Sequence, residues 1–194
     1  MENPVVKNIL NRRTIKPEDC TGEKIPDNTI QQILETANWA PTHGYTEPWR
    51  FTVFSDEGKQ KFAQDHAEMY KKFTPADNFK QVRYQKLLER AELTSHIIAI
   101  ICKKGNNPKI PFWEEMAATS CAVQNMQLTA NSINLAAYWN SGGMTSHPAM
   151  KSYLGFEEQD MVMGFLYLGV PLKDKEFVGR RISSIDEKVN WVKK

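Results

Sequence analysis
The chain has 194 residues, a length that ordinarily folds around one sizeable core, so a single domain over residues 1–194 is expected. Apolar residues make up 41% and charged residues 25%, and the net charge of +2 gives no reason to expect a nucleic-acid partner. No apolar run has the length of a membrane span, the first residues lack a signal-peptide core, and Cys20, Cys102 and Cys121 show no C-x-x-C spacing, so a cytoplasmic protein with free thiols is expected.

In chain order, the pattern predicts a short amphipathic helix over about Pro4–Asn11 and a second helix from Pro26 and Asp27. The second carries Ile30, Ile33, Leu34 and Ala37 on one face and is stopped by Pro41. A strand is expected over Trp49–Phe54, then a helix with Asp56 as its N-cap and Phe62, Ala63, Met69 and Tyr70 inward. Thr74–Asp77 breaks this helix, and another runs to Glu92. The apolar run His96–Cys102 reads as a strand buried on both faces. After a loop over Lys103–Pro108, the longest helix is expected over Phe112–Asn134, with Ala117, Ala118, Ser120, Cys121 and Ala122 suited to close packing. Leu135–Trp139 and Met161–Val170 read as strands around a short helix, Ser146–Leu154. The sum is a three-layer α+β fold with one central sheet. The polar tail from Pro171 ends in Val189-Asn190-Trp191-Val192, an aromatic anchor expected to dock.

Two stretches carry chemistry. Arg12-Arg13-Thr14 places two guanidinium groups and a hydroxyl at a helix end, the donor set that holds a phosphate dianion. A solvated helix C-terminus would use the same cations for its dipole. Trp39-Ala40-Pro41-Thr42-His43-Gly44-Tyr45-Thr46-Glu47-Pro48-Trp49 is a Pro-punctuated loop of aromatic rings and one imidazole, able to pack on a flat heterocycle. Together they suggest a phosphorylated aromatic cofactor. The four histidines show no metal spacing, so no metal site is expected. The P-loop, the dinucleotide fingerprint and the G-x-S-x-G elbow are all missing from the sequence.

In their order and spacing, these two stretches resemble the N-terminal signature of the FMN-dependent nitroreductases. Trp139-Asn140-Ser141-Gly142-Gly143, Gly164-Phe165-Leu166-Tyr167-Leu168-Gly169 and Gly179-Arg180-Arg181 extend the resemblance along the chain, closest to the short members. The resemblance implies a mostly antiparallel central sheet flanked by helices, and a C-terminal tail exchanged across a homodimer with FMN at the interface. It implies that Arg12, Arg13, Thr14 and Arg181 hold the phosphate, and that Trp39, His43, Trp139, Asn140 and Ser141 contact the ring or ribityl chain. NAD(P)H would be a transient co-substrate, the second substrate a small nitroaromatic or quinone-like electron acceptor used in ping-pong order. The flavin does the chemistry, so no catalytic acid or base is expected.

The chain departs from the family pattern at four places. Thr14 stands for the usual Ser and keeps the hydroxyl; Gly179 stands where some members have Lys; Glu47 replaces Gln; and Asn140 replaces an Arg common in short relatives. A carboxylate at position 47 would disfavour a reduced flavin anion, and Asn140 removes a nearby positive charge. Two alternatives stand beside the main reading: a flavoenzyme of the same fold that dehalogenates or fragments flavin, and a non-catalytic FMN-binding protein.

Overall fold
In the computed structural model, which describes residues 3–193, the elements in chain order are α1 (Pro4–Asn11), α2 (Asp27–Ala37), β1 (Trp49–Phe54), α3 (Asp56–Phe73), α4 (Gln81–Leu93), β2 (His96–Cys102), α5 (Phe112–Ser132), β3 (Ala136–Asn140), α6 (Pro148–Tyr153) and β4 (Met161–Gly169). The strands form one four-stranded sheet in the order β1-β2-β4-β3, with every neighbouring pair antiparallel. Every predicted helix and strand is present, with ends shifted by a few residues.

Every residue of β2 is buried, as its unbroken apolar run requires. Side chains alternate across a strand, so Ile98 and Ile100 enter a core with α2 and α5, while Ile97, Ala99 and Ile101 enter a second core with α3 and α4. The result is a helix–sheet–helix sandwich. Each fully buried Ile contributes roughly 1.5–3 kcal/mol of apolar transfer. Ala118, Ala122 and Ala130 let α5 lie close on the first core, whereas Ala117 and Cys121 face outward. The α2–α5 contact is fixed by Thr129 Oγ1 donating to Thr36 Oγ1 at 2.9 Å and Asn125 Nδ2 donating to the Thr36 carbonyl at 3.1 Å.

Gly164 interrupts the β2–β4 register between Ile100 and Ile101, as a β-bulge does. Its φ is 129°, and a Cβ there would lie 2.5 Å from the Asn140 carbonyl oxygen and 2.8 Å from Trp139 Nε1. Only glycine permits that approach. The bulge thus sets where β3 ends, and β3 ends at the candidate site.

One capping expectation is corrected. Ser55, not Asp56, holds the N-cap position, with Lys59 N–H donating to its carbonyl at 3.0 Å. Asp56 has φ 47°, and its carboxylate accepts from Lys24 Nζ at 2.7 and 2.9 Å. That left-handed backbone and the lysine together turn it away from the first-turn amides.

The tail starts docked. Cys20 and Pro171 form a β-bridge, and Leu172 N–H donates to the Asp19 carbonyl at 2.9 Å. Beyond Val178 its large apolar side chains are uncovered, with Ile182 97% and Trp191 77% exposed. The apolar residues of α1 (Val5, Val6, Ile9 and Leu10) are likewise exposed.

Candidate functional site
The end of α1 and the start of the tail meet around a cavity of about 350 Å³ lined by Arg12, Arg13, Thr14, Gly179 and Arg181 among others. Arg12 is half-buried, and its Nη1 is fully buried with no hydrogen-bond partner among the described residues. Burial first, then Arg181 and Arg13, hold the Arg12 guanidinium below its usual pKa. Glu176 also lines the cavity but forms no ion pair among the described residues. Four arginines, Arg12, Arg13, Arg180 and Arg181, therefore line a space that an anion would fill. Desolvated like charges with an orphaned donor are costly unless such an anion completes them. A phosphate carrying about two negative charges suits the donor set.

Arg13 has a more structural place than the sequence suggests. Its Nε donates to the Phe177 carbonyl at 3.0 Å, and its Nη1 donates to the carbonyls of Leu10 at 2.7 Å and Arg12 at 3.0 Å. It staples the tail to α1 and leaves Nη2 without a hydrogen bond among the described residues. Gly179 makes room for it: a Cβ at that position would lie 2.6 Å from Arg13 Cζ. A bare Gly179 is thus the space into which Arg13 folds. Thr14 is exposed, and Arg181 Nη1 donates only to the Arg180 carbonyl, at 3.0 Å.

The end of β3 is built differently. Trp139 is half-buried, with its indole Nε1 donating to the Met163 carbonyl at 3.1 Å, so the ring is fixed. Asn140 Oδ1 accepts from Gly142 N–H at 3.0 Å, an Asx turn that spends the side-chain oxygen locally. Ser141 is exposed. Gly143 has φ 68°, and His66 Nε2 would lie 2.7 Å from a Cβ there.

The aromatic loop carries backbone strain. Gly44, Tyr45 and Glu47 all have positive φ (59°, 55° and 43°), a cluster uncommon outside functional sites. Thr42 Oγ1 braces it, 3.0 Å from Thr46 Oγ1 and accepting from Glu47 N–H at 3.2 Å. His43 Nδ1 lies 2.6 Å from Glu114 Oε2, so the carboxylate fixes the ring with Nε2 facing away. Trp39 is 81% exposed at the end of α2. The arginine cluster and the β3 turn are each assembled in this chain, whereas Trp39 and His43 stand on a loop open to solvent.

The other histidines have local duties. His66 Nε2 accepts from Met144 N–H at 3.1 Å, and burial above all, with Arg90 second, lowers its pKa to about 4. His96 lies between Ser95 Oγ (2.8 Å) and Asp27 Oδ1 (3.2 Å), and His147 Nδ1 caps α6.

Sequence reasoning missed Arg90. Its guanidinium lies 5.5 Å from the Tyr138 ring centroid and 6.0 Å from that of Tyr167, its Nε is buried without a partner, and it lines a pocket with Asn140, Gly142 and Gly143. The available signal was a cation beside Leu87 and Ala91 on the inward stripe of α4.

The profile described as the Nitroreductase family matches residues 9–170 of the chain. YdjA of Escherichia coli K12, provisionally titled an NAD(P)H nitroreductase, is 32% identical over 166 residues, covering 84% of this chain and 86% of that one. Among solved structures, a nitroreductase-like family protein from Bacillus cereus superposes with a TM-score of 0.85 at 25% identity, covering 100% of this chain and 98% of its own. A nitroreductase with bound FMN from Bacteroides fragilis superposes at 0.71 and 22% identity, covering 99% of this chain and 100% of its own; at that identity it shows the shared fold.

Proposed function
Because the chain belongs to the nitroreductase family, we propose that it is an FMN-dependent oxidoreductase that takes electrons from NAD(P)H and delivers them to a nitroaromatic or quinone-like acceptor. The observation that carries the cofactor is the buried Nη1 of Arg12, without a partner among the described residues, in a cavity lined by four arginines. Relatives titled NAD(P)H nitroreductase and a fold neighbour titled as holding FMN support the same reading. FMN suits the site better than FAD, because no adenine-binding motif accompanies the clamp.

Arg12, Arg181, the free Nη2 of Arg13 and the Thr14 hydroxyl hold the phosphate in this reading. Trp139, held against Met163, gives the ring a rigid neighbour, and the Asn140–Ser141 turn offers polar edges. His43 and Trp39 reach the cofactor from the strained loop, with Glu114 orienting the imidazole. When bound, the flavin supplies hydride exchange between nicotinamide and acceptor, and the protein supplies binding, orientation and electrostatics. The acceptor follows the donor into one place in ping-pong order.

We place the working unit as a homodimer. The uncovered apolar side chains of α1 and of the tail are the surfaces a second copy would bury, and a docked Trp191 would exchange between subunits. Steady-state rates with menadione at several NADH and NADPH concentrations test the chemistry. Parallel double-reciprocal lines are expected; lines that intersect would contradict the ping-pong order, and no turnover with either donor would contradict the enzyme reading.

A further inference from the structure
A second cavity, of about 550 Å³, opens between α4 and the turn after β3. Asn140, Gly142 and Gly143 line it on one side, and Arg83, Lys86 and Arg90 line it on the other. These cations recur at spacings of three and four residues, so they share one face of α4. Its lining contains no carboxylate. Among the described residues, Arg83 and Lys86 join no ion pair, and Arg90 reaches one carboxylate, Glu18, at a loose 3.9 Å.

A solvated basic face would account for Lys86 alone, since Arg83 lies in the first turn of α4, where the helix dipole disfavours a cation. It does not account for Arg90, which lies over two tyrosine rings with its Nε buried and unbonded. Nor does it account for the position, because the opposite wall is the β3 turn already assigned to the cofactor ring. Leu87 and Tyr70 add apolar surface beside the cations. The volume falls in the range of small-ligand pockets.

We propose that this pocket is a specificity subsite for the electron acceptor: it takes a small aromatic molecule bearing a carboxylate or sulfonate, with the anionic group on Arg83 and Lys86 and the ring directed toward the Asn140–Gly143 turn. The assignment rests on the flavin reading given above. Phosphate of the nicotinamide donor is the other source of an anion at this place, and the experiment separates the two.

The test compares 4-nitrobenzoate with 4-nitrobenzamide, which differ mainly in charge, in the wild type and in the double variant Arg83→Gln/Lys86→Gln. The KM for 4-nitrobenzoate relative to that for the amide should rise about tenfold in the variant. The wild-type preference should shrink as ionic strength increases. The charge-keeping pair Arg83→Lys/Lys86→Arg should retain the preference, which separates charge from damage to α4. An unchanged ratio overturns the proposal. A raised KM for NADH or NADPH with an unchanged acceptor ratio also overturns it, because the cations would then serve the donor. Calorimetric titration with 4-nitrobenzoate supplies a readout independent of turnover. Binding weakened about tenfold in the glutamine variant sustains the subsite even if no acceptor turns over, a failure that would fall on the flavin reading instead. Equal binding sinks the subsite.

Discussion

Arg12 holds a buried Nη1 with no partner, whereas its neighbour Arg13 already donates to three carbonyls. Substitution should separate the two. Arg12→Ala is expected to raise the FMN dissociation constant roughly ten- to a hundredfold, the loss of about 1.5–3 kcal/mol of charge-assisted hydrogen bonding, with little change in Tm. Arg13→Ala should weaken FMN and also lower Tm, since it releases the tail from α1. Flavin-fluorescence titration of the apoprotein beside thermal melts checks both; equal Tm losses would return Arg12 to a structural role. Gly179→Ala should resemble Arg13→Ala in flavin affinity, because the added Cβ occupies the guanidinium's place at 2.6 Å. An unchanged FMN constant in that variant would show that Arg13 is not needed where it lies. His66 carries a pH prediction. Its folded pKa, about 4, is below the unfolded value of 6.5, so the unfolded chain binds the extra proton first. Stability is therefore complete above about pH 6.5 and falls as pH descends toward 4, with roughly 2 kcal/mol lost by pH 5. Urea midpoints at pH 7 and pH 5 should show a smaller drop in His66→Gln, which keeps an acceptor for Met144 N–H. Burial also lowers the His96 pKa, so some acid sensitivity should remain.

At the scale of elements, the apolar code was legible wherever burial was strong. β2 was readable as a strand closed on both faces because all its residues are apolar or histidine-capped, and α2 because Ile30, Ile33 and Ala37 repeat at helical spacing. Features set by tertiary partners were not legible. Asp56 looks like a cap in sequence, and it is Lys24, far along the chain, that claims its carboxylate. The bulge at Gly164 depends on the carbonyl of Asn140, a residue of another strand. In the candidate site, the arginine pairs and the Trp139–Gly143 turn could be read from local motifs. Arg90, the Arg13 staple and the Glu114 partner of His43 could not, because each is joined to its site only by the fold. The tail follows the same logic: Trp191 reads as an anchor in sequence, but in this chain it is left exposed. Deleting residues 179–194 removes Arg181 and that anchor together, and should yield a monomer that no longer retains FMN. Light scattering with flavin quantitation decides it, and a yellow, dimeric truncation would show that the tail is dispensable.

For the whole molecule, the two cores on either side of the sheet hold a rigid frame, and the elements of the proposed cofactor site lie at its margins: the end of α1, the end of β3 and the loop before β1. Exposed apolar residues concentrate on α1, the tail and the Trp39–Tyr45 loop, the same elements that carry or adjoin the proposed site. Dimerisation and cofactor binding should therefore be linked, and adding FMN to apoprotein should raise both Tm and the dimer fraction. The central claim, a flavin held by the arginine cluster and reduced by nicotinamide, is tested most directly by the anaerobic absorption spectrum of the purified protein before and after NADH or NADPH. The expected result is a yellow protein that releases FMN on heating at about one per subunit and bleaches when either donor is added. A colourless protein whose apo form takes up no FMN, or a bound flavin that neither donor bleaches, would contradict the account.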